Sequence, residues 1–130
     1  TDGINRADPV ILAYPVITTG EYAHRGSIEK VTKNDEGLLE LLSLEKQVTE
    51  DASPVFIWHT VTDSAVPVEN SFLLAQAYRN ANVPFELHLF ESGDHGLSMC
   101  TEEVGTPHPG VRPWVGLATN WLNLRFMHNL

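Results

Sequence analysis

Three short apolar segments, separated by longer polar stretches, dominate the hydrophobic pattern of the chain; they are residues 10–17, 54–59 and 85–90. The first is continuously apolar and rich in β-branched residues, which predicts a strand covered on both faces. Pro15 is expected near the end of that strand, because proline cannot donate to a sheet. The third segment alternates polar and apolar residues more clearly, so it predicts a strand near a sheet edge or with one less-covered face.

Three further segments have the pattern of helices and alternate with those strands. Residues 35–44 begin at Asp35, a suitable N-cap, and contain an apolar stripe of leucines. Pro67 suits the first turn of a helix that extends to about residue 81, and residues 114–126 form the last predicted helix. The side chains of the second helix that are expected to point inward are Val68, Phe72, Leu74, Ala75, Tyr78 and Ala81.

This alternation of strands and helices predicts an α/β fold, with a parallel β-sheet and helices on its faces. In such a sheet the crossovers are right-handed and the carboxyl ends of the strands share one edge, where ligand-binding and catalytic groups gather. The length of 130 residues fits one domain or part of a larger one. The stretch 18–34 is polar and irregular and contributes no predicted element.

The charge and the cysteine content narrow the classes of partner. Lys and Arg number 8 against 17 Asp and Glu, a formal net charge of −9, which argues against nucleic acid or an anionic membrane as the main partner. No apolar run approaches the roughly 18 residues that a membrane span needs, and no signal peptide is visible.

The single cysteine, Cys100, excludes an internal disulfide framework and a cysteine-based zinc site. It also favours a reducing compartment, so we expect a cytoplasmic protein.

An acid and an imidazole follow successive strands at the carboxyl edge of the predicted sheet. Asp63 comes shortly after the second strand and His95 shortly after the third, so the two side chains can meet. A carboxylate facing one ring nitrogen fixes the tautomer of His95 and stabilises the imidazolium that forms when the ring takes a proton. Gly93 and Gly96 permit the sharp loop that aims the histidine. The alternative is that Asp63 caps the helix at Pro67 and that His95 is an exposed loop residue.

Other polar side chains near that edge have both a functional and a structural interpretation. Tyr22, His24 and Arg25 follow the first strand, and they either line a substrate pocket or form a solvated loop. His59 either supports the Asp63 loop by hydrogen bonding or has a structural role in its strand, and we favour the structural role.

The remaining histidines do not predict a metal site. His88, His95 and His108, together with Asp94, match no zinc spacing, and His88 lies inside a predicted strand. We therefore expect no metal.

Two segments resemble a known enzyme family. Residues 58–67 (Trp-His-Thr-Val-Thr-Asp-Ser-Ala-Val-Pro) and residues 90–96 (Phe-Glu-Ser-Gly-Asp-His-Gly) resemble the acid and histidine regions of α/β-hydrolase esterases. The likeness is greatest to the bacterial acetyl-esterase, xylan-esterase-like and dienelactone-hydrolase-like branch. It extends from about Asp8 to Leu124 and includes the strand segment 11–15.

The resemblance implies a carboxylic-ester hydrolase with a Ser-Asp-His triad, in which Asp63 orients the general base His95. It also implies that no metal or organic cofactor is needed, and that the substrate is a small ester, such as an acetylated sugar. Two alternatives stay open. One is a non-catalytic interaction module of hydrolase ancestry, and the other is a serine peptidase of the same fold, since prolyl-peptidase-like enzymes share the placement of Asp and His.

The chain departs from the family at the nucleophile. These hydrolases carry Gly-x-Ser-x-Gly, and no serine of this chain has glycine at both of the required positions. The family order of Ser, Asp and His then implies a serine upstream of Thr1, so that residues 1–130 form the C-terminal part of a single α/β-hydrolase domain without its nucleophile-bearing part. We expect that missing part or a second copy to cover the exposed sheet edge, or else the chain to be poorly stable. We also expect the chain alone to be inactive.

Overall fold

A computed structural model describes residues 8–127 of the chain around a three-stranded parallel sheet. The strands are β1 (Val10–Ala13), β2 (Val55–Thr60) and β3 (Phe85–Phe90), and they lie in the order β1-β2-β3. Both pairings are parallel, so the carboxyl ends of the strands lie at one edge of the sheet, in agreement with the sequence pattern.

The helices connect the strands and follow the last one. In chain order they are α1 (Arg25–Thr32), α2 (Glu36–Leu42), α3 (Glu69–Asn80) and α4 (Trp114–Met127), with short 3₁₀ helices at Leu44–Lys46 and Glu102–Val104. Across residues 8–127 every helix is too short or too polar to cross a bilayer.

The central strand β2 separates two apolar clusters, one on each face of the sheet. Val55 and Ile57 face the cluster that includes α3, while Phe56 and Trp58 face the cluster that includes α4. Every residue of β2 is buried. Because each large apolar side chain contributes about 1.5–3 kcal/mol when it leaves water, β2 is the strand that packing holds most firmly.

The first strand is shorter than the apolar run that predicts it. β1 ends at Ala13 instead of continuing to Ile17, because Tyr14 adopts a left-handed backbone conformation, with φ of 40°, and leaves the sheet. Pro15 therefore lies just beyond the strand. Ile17 is nevertheless buried in the cluster against α3, so the hydrophobicity of this run reflects packing outside the strand as well as within it.

The segment after β1 differs from its prediction in two ways. The polar stretch 18–34 contains α1, a helix that the sequence pattern does not predict. α2 begins where predicted, because the side chain of Asp35 accepts a hydrogen bond from the backbone N–H of Leu38 at 2.9 Å. Its leucine stripe is largely exposed, however, with Leu38 40% and Leu41 58% exposed, because α2 packs mainly on α1 and on the following 3₁₀ helix.

The remaining elements agree closely with the sequence pattern. β3 spans the predicted residues and lies at an edge of the described sheet. Of the α3 side chains expected to point inward, Leu74, Ala75 and Tyr78 are buried. The prediction for Phe72 is wrong: this side chain is 44% exposed, because it lies on the outer face of α3 that also carries the exposed Gln76.

Asn70 ties the chain that follows β1 to the start of α3. Its side chain is fully buried, and Oδ1 accepts hydrogen bonds from the backbone N–H groups of Ile17 at 2.9 Å and Thr18 at 3.0 Å. Nδ2 donates to the carbonyl oxygens of Tyr22 at 2.8 Å and Pro67 at 3.0 Å. This one amide therefore satisfies backbone groups of the irregular segment after β1 and holds that segment at the carboxyl edge of the sheet.

We expect Asn70→Ala to lower the free energy of unfolding by about 2 kcal/mol or more, because buried backbone groups lose their hydrogen-bond partners. Urea denaturation measures the change. The matched control is Gln76→Ala on the exposed face of the same helix, where the amide donates to Asn80 at 2.8 Å; its effect should stay within about 0.5 kcal/mol. Equal effects of the two substitutions would contradict the anchoring role of Asn70.

Candidate active site

Asp63 and His95 lie side by side at the carboxyl edge of the sheet. Nδ1 of His95 is 2.8 Å from Oδ2 of Asp63. Asp63 lies in the turn after β2 with its side chain fully buried, whereas His95 lies in the loop after β3 with 35% of its side chain exposed. The acid is thus enclosed by protein, while the imidazole beside it reaches the surface.

The turn after β2 holds the carboxylate of Asp63 in one orientation. Oδ1 accepts hydrogen bonds from the backbone N–H groups of Ala65 and Val66, both at 2.9 Å. These bonds close the turn itself, and among the described residues no side chain caps the amino end of α3. Burial alone would raise the pKa of Asp63, but hydrogen bonds from Val66 and His95 hold that pKa below its ordinary value. The carboxyl group is therefore ionised at neutral pH and can stabilise a positive charge on the neighbouring ring.

The contact between the two residues defines which ring nitrogen of His95 is basic. A carboxylate only accepts hydrogen bonds, so Nδ1 carries the proton that it donates to Asp63, and Nε2 holds the lone pair. Among residues 8–127, Nε2 has no hydrogen-bond partner. A basic nitrogen that is oriented by an acid and left free at the sheet edge has the geometry of a general base.

Tyr14 is a site residue that the sequence pattern gives no reason to select. It follows β1 directly, and its φ of 40° is rare for a bulky residue and recurs at functional sites. Its ring meets the ring of His95 edge-on, with centroids 4.8 Å apart, and also meets the ring of Trp58 edge-on, with centroids 5.0 Å apart. Its hydroxyl oxygen accepts a hydrogen bond from the backbone N–H of Ser98 at 3.3 Å. Tyr14 therefore limits the positions that the imidazole can take.

Two threonines, one at the end of β2 and one in the turn after it, hydrogen-bond to Gly93 in the loop that carries His95. Thr60 Oγ1 donates to the carbonyl oxygen of Gly93 at 2.8 Å, and the backbone N–H of Gly93 donates to Thr62 Oγ1 at 2.9 Å. A Cβ atom at Gly93 would lie 2.8 Å from the side chain of Thr60, so this close approach requires glycine. Gly96, with φ of 81°, allows the chain to turn directly after His95.

His59 also belongs to the site. Its side chain is fully buried in β2, with Nε2 3.1 Å from Oδ2 of Asp63 and Nδ1 2.7 Å from Oγ of Ser71. Burial lowers the pKa of His59, and the nearby negative charge of Asp63 opposes that effect only in part. The sequence offers two interpretations of this histidine, and the one we did not favour, hydrogen bonding toward Asp63, describes the observed geometry.

Tyr22, His24 and Arg25 lie on the chain after β1 but do not touch the pair. The carbonyl oxygen of Tyr22 accepts the hydrogen bond from Asn70, and the ring of His24 bonds within the first turn of α1. Arg25 is exposed at the first residue of that helix. In the part of the chain that the structure describes, no hydrogen bond, ion pair or ring contact joins these side chains to the acid or to the base.

The other chemical candidates do not converge on the pair. Among residues 8–127, no group of three or more His, Cys, Asp and Glu side chains is arranged to hold a metal ion. Cys100 is buried, and burial raises the pKa of its thiol, which disfavours the reactive thiolate. A cavity of about 590 Å³ opens between Pro54, Phe85 and Trp121, at the amino ends of the strands and therefore at the opposite edge of the sheet.

Comparison with known proteins gives a family match over most of the chain. The model of the prolyl oligopeptidase family matches residues 11–108, a range that includes both Asp63 and His95. Among curated proteins, endo-1,4-beta-xylanase B of Butyrivibrio fibrisolvens is 48% identical over 101 residues, which cover 75% of this chain and 16% of the xylanase.

Solved structures that resemble this chain are hydrolases. An acetyl ester-xyloside bifunctional hydrolase from Caldicellulosiruptor lactoaceticus is 40% identical with a TM-score of 0.82, over 91% of this chain and 42% of that one. A carboxylesterase from Lactobacillus plantarum is 29% identical with a TM-score of 0.80, over 95% of this chain and 47% of that one. The chain thus spans less than half the length of these relatives. The likeness confirms the predicted α/β-hydrolase fold class and the resemblance to esterases of that fold.

We expect the free energy of unfolding to fall as the pH is lowered from about 7 to about 5. Unfolded His59 binds a proton near pH 6.5, whereas burial keeps the pKa of the folded residue lower. As the pH falls, His59 in the unfolded state therefore binds a proton before His59 in the folded state does. The stability that the neutral ring contributes is fully present above about pH 6.5 and is lost as the pH falls toward the folded pKa. Protonation of Asp63, whose pKa is also lowered, adds a second loss only at more acidic pH.

Urea denaturation at a series of pH values measures this slope. His59→Gln should flatten it between pH about 5 and about 7, because the titrating ring is gone. His88→Gln is the matched control, since His88 lies on the adjacent strand and bonds to Glu86 outside the site; this variant should keep the slope. A slope that is the same in His59→Gln and in the unmodified protein would show that His59 is not the buried titrating group.

Proposed function

Because the chain belongs to the prolyl oligopeptidase family, we propose that it supplies the acid and the base of a serine carboxylic-ester hydrolase. The observation that carries the proposal is the 2.8 Å hydrogen bond between Nδ1 of His95 and Oδ2 of Asp63, with Nε2 left free at the carboxyl edge of the sheet. In this proposal Asp63 orients the imidazole and His95 is the general base.

Acylation of the enzyme uses both residues. A serine Oγ attacks the ester carbonyl carbon while Nε2 of His95 takes the hydroxyl proton, and the negative charge of Asp63 stabilises the imidazolium that results. Collapse of the tetrahedral intermediate breaks the bond to the alcohol oxygen, and Nε2 returns its proton to that oxygen. An alcohol leaves and an acyl-serine remains.

Deacylation repeats the same proton transfers with water as the nucleophile. Nε2 of His95 takes a proton from the attacking water, and the tetrahedral intermediate then releases serine, whose Oγ recovers that proton from Nε2. The products are a carboxylic acid and the regenerated hydroxyl group. Asp63 stays ionised throughout, so no step needs a metal or an organic cofactor.

We place the nucleophilic serine upstream of Thr1, in a Gly-x-Ser-x-Gly turn. No serine of this chain has that context, and the chain spans 42% and 47% of the two hydrolase structures that it resembles. The free edge of β1 agrees with this placement, since within residues 8–127 β1 pairs only with β2 and Ile11 is 37% exposed. A neighbouring strand would satisfy the unpaired backbone groups of that edge.

The proposed substrate is a small carboxylic ester, with an acetylated sugar as the leading example. The similarity to an acetyl ester-xyloside bifunctional hydrolase and to a xylanase motivates this class. Tyr22, His24 and Arg25 stay candidates for substrate contact, because they follow β1 at the same edge of the sheet as the acid–base pair.

A serine peptidase is the second candidate function, because the family to which the chain belongs is named after a peptidase, prolyl oligopeptidase. The same Asp63–His95 pair would serve peptide hydrolysis, in which Nε2 protonates a leaving amine instead of an alcohol. Matched p-nitrophenyl acetate and prolyl p-nitroanilide substrates separate the two activities. A non-catalytic module predicts hydrolysis of neither.

We expect His95→Ala to lower kcat/KM for p-nitrophenyl acetate about a thousandfold or more in the complete polypeptide that contains this chain, because the proton acceptor is lost. Asp63→Asn should also lower kcat strongly, because an amide can present a donor to Nδ1 and disfavour the reactive tautomer of His95. Steady-state kinetics measure both effects. Equal rates in His95→Ala and the unmodified protein would remove His95 from the mechanism.

His88→Ala provides the control, because this strand histidine bonds to Glu86 and does not contact the pair; it should retain near-normal kcat/KM. The reading frame upstream of Thr1 tests the placement of the nucleophile directly, since Gly-x-Ser-x-Gly should occur there. Residues 1–130 alone should show no turnover above background. A serine-linked acyl-enzyme formed on residues 1–130 would contradict the proposed position of the nucleophile.

A further inference from the structure

The imidazole of His59 is enclosed by polar partners although none of it reaches solvent. Its side chain is 0% exposed. Nδ1 lies 2.7 Å from Oγ of Ser71 on α3, and Nε2 lies 3.1 Å from Oδ2 of Asp63 and 3.0 Å from the carbonyl oxygen of Val66. Both ring nitrogens are therefore committed inside the protein.

These partners determine the tautomer of His59. Both groups facing Nε2 are acceptors, so Nε2 carries a hydrogen and donates it toward Asp63 and Val66. Nδ1 then accepts the hydroxyl hydrogen of Ser71, which is also fully buried and lies on the inner face of α3. The result is a neutral ring whose hydrogen-bonding capacity is fully used.

We propose that His59 is a positioning residue, which holds the Asp63 carboxylate against His95 as a neutral hydrogen-bond donor. Oδ1 of this carboxylate is fixed by the turn, and His59 acts on Oδ2, the oxygen that His95 uses. The effect on catalysis rests on the proposed hydrolase function, whereas the tautomer of His59 and its effect on Asp63 do not.

The neutrality of His59 is central to this role. A lysine, an arginine or an imidazolium at the same place would cancel the negative charge of Asp63, and the pair would then stabilise an imidazolium at His95 less. A neutral donor restrains the carboxylate and leaves its charge available. The titratable groups that face the His59 ring are Asp63, from the turn after β2, and His95, from the loop after β3, while α3 contributes the hydroxyl of Ser71.

Nuclear magnetic resonance of the unmodified protein tests the tautomer without any requirement for turnover. In the complete polypeptide labelled with ¹⁵N-histidine, long-range ¹H–¹⁵N spectra should show His59 protonated at Nε2 alone and unchanged from pH about 6 to about 8. A His59 protonated at Nδ1, or at both nitrogens at neutral pH, would overturn the proposal. Because this measurement uses the unmodified protein, the proposal stays testable if a variant fails to fold.

Two substitutions then separate positioning from packing. His59→Leu places an apolar side chain of similar bulk at this position and removes the hydrogen-bond donor. His59→Gln instead offers an amide N–H near the position of Nε2. We expect His59→Leu to raise the pKa of Asp63, followed by the ¹³C shift of its carboxyl group, and to lower kcat about tenfold or more with little change in KM. His59→Gln should restore most of both values. His88→Leu on β3 is the matched control and should alter neither.

The outcomes distinguish this proposal from the proposed function. If His59→Leu leaves both the pKa of Asp63 and kcat unchanged, the positioning role is wrong even though the hydrolase assignment stands. If the complete polypeptide hydrolyses no ester or peptide, the proposed function fails, and the tautomer and carboxyl titrations still decide the role of His59. If His59→Gln loses as much activity as His59→Leu, restoring a hydrogen-bond donor has no effect, and His59 serves only in packing.

Discussion

The structure around the candidate site depends on one constraint: the ionised carboxylate of Asp63 has no contact with solvent, so the protein itself must supply its hydrogen-bond donors. The turn after β2 supplies backbone N–H groups to Oδ1, while His59 and His95 face Oδ2. An isolated buried carboxylate would be strongly disfavoured. The residues that surround Asp63 make the negative charge stable, and the same arrangement orients the imidazole that is exposed beside it.

The parallel sheet brings His95 to Asp63 from a distant part of the sequence. Its carboxyl edge places the turn after β2 beside the loop after β3, and hydrogen bonds of Thr60 and Thr62 with Gly93 hold the two segments together. Tyr14, directly after β1, packs edge-on against the His95 ring. The segments that follow the three strands therefore each contribute to the position of one imidazole, which explains how a short stretch of sheet can hold an acid and an imidazole in the geometry of the candidate site.

Sequence patterns predict the elements that depend on neighbouring residues. They fail where a contact between separate elements determines the structure. β3 and most of α3 follow from apolar periodicity and from turn residues. The apolar run that predicts β1 is longer than the strand itself, because Ile17 is buried in the cluster against α3 and not in the sheet. α1 has a largely polar surface, so periodicity carries little signal for it. The proximity of Asp63 and His95 was predictable from topology, whereas the role of Tyr14 was not.

The sequence by itself determined the alternating strands and helices, and with them the edge at which the acid and the histidine lie, because hydrophobic period and turn chemistry act over a few neighbouring residues. It also carried the two segments that identify the family. Only the tertiary structure decided that His59 and Tyr14 contact the pair and that Asn70 anchors the segment after β1. The contacts of Tyr14 with His95 and of Asn70 with Ile17 join residues far apart in the chain, and their energies exist only once the sheet has brought the segments together. His59 and Asp63 are four residues apart, and the turn after β2 brings their side chains into contact.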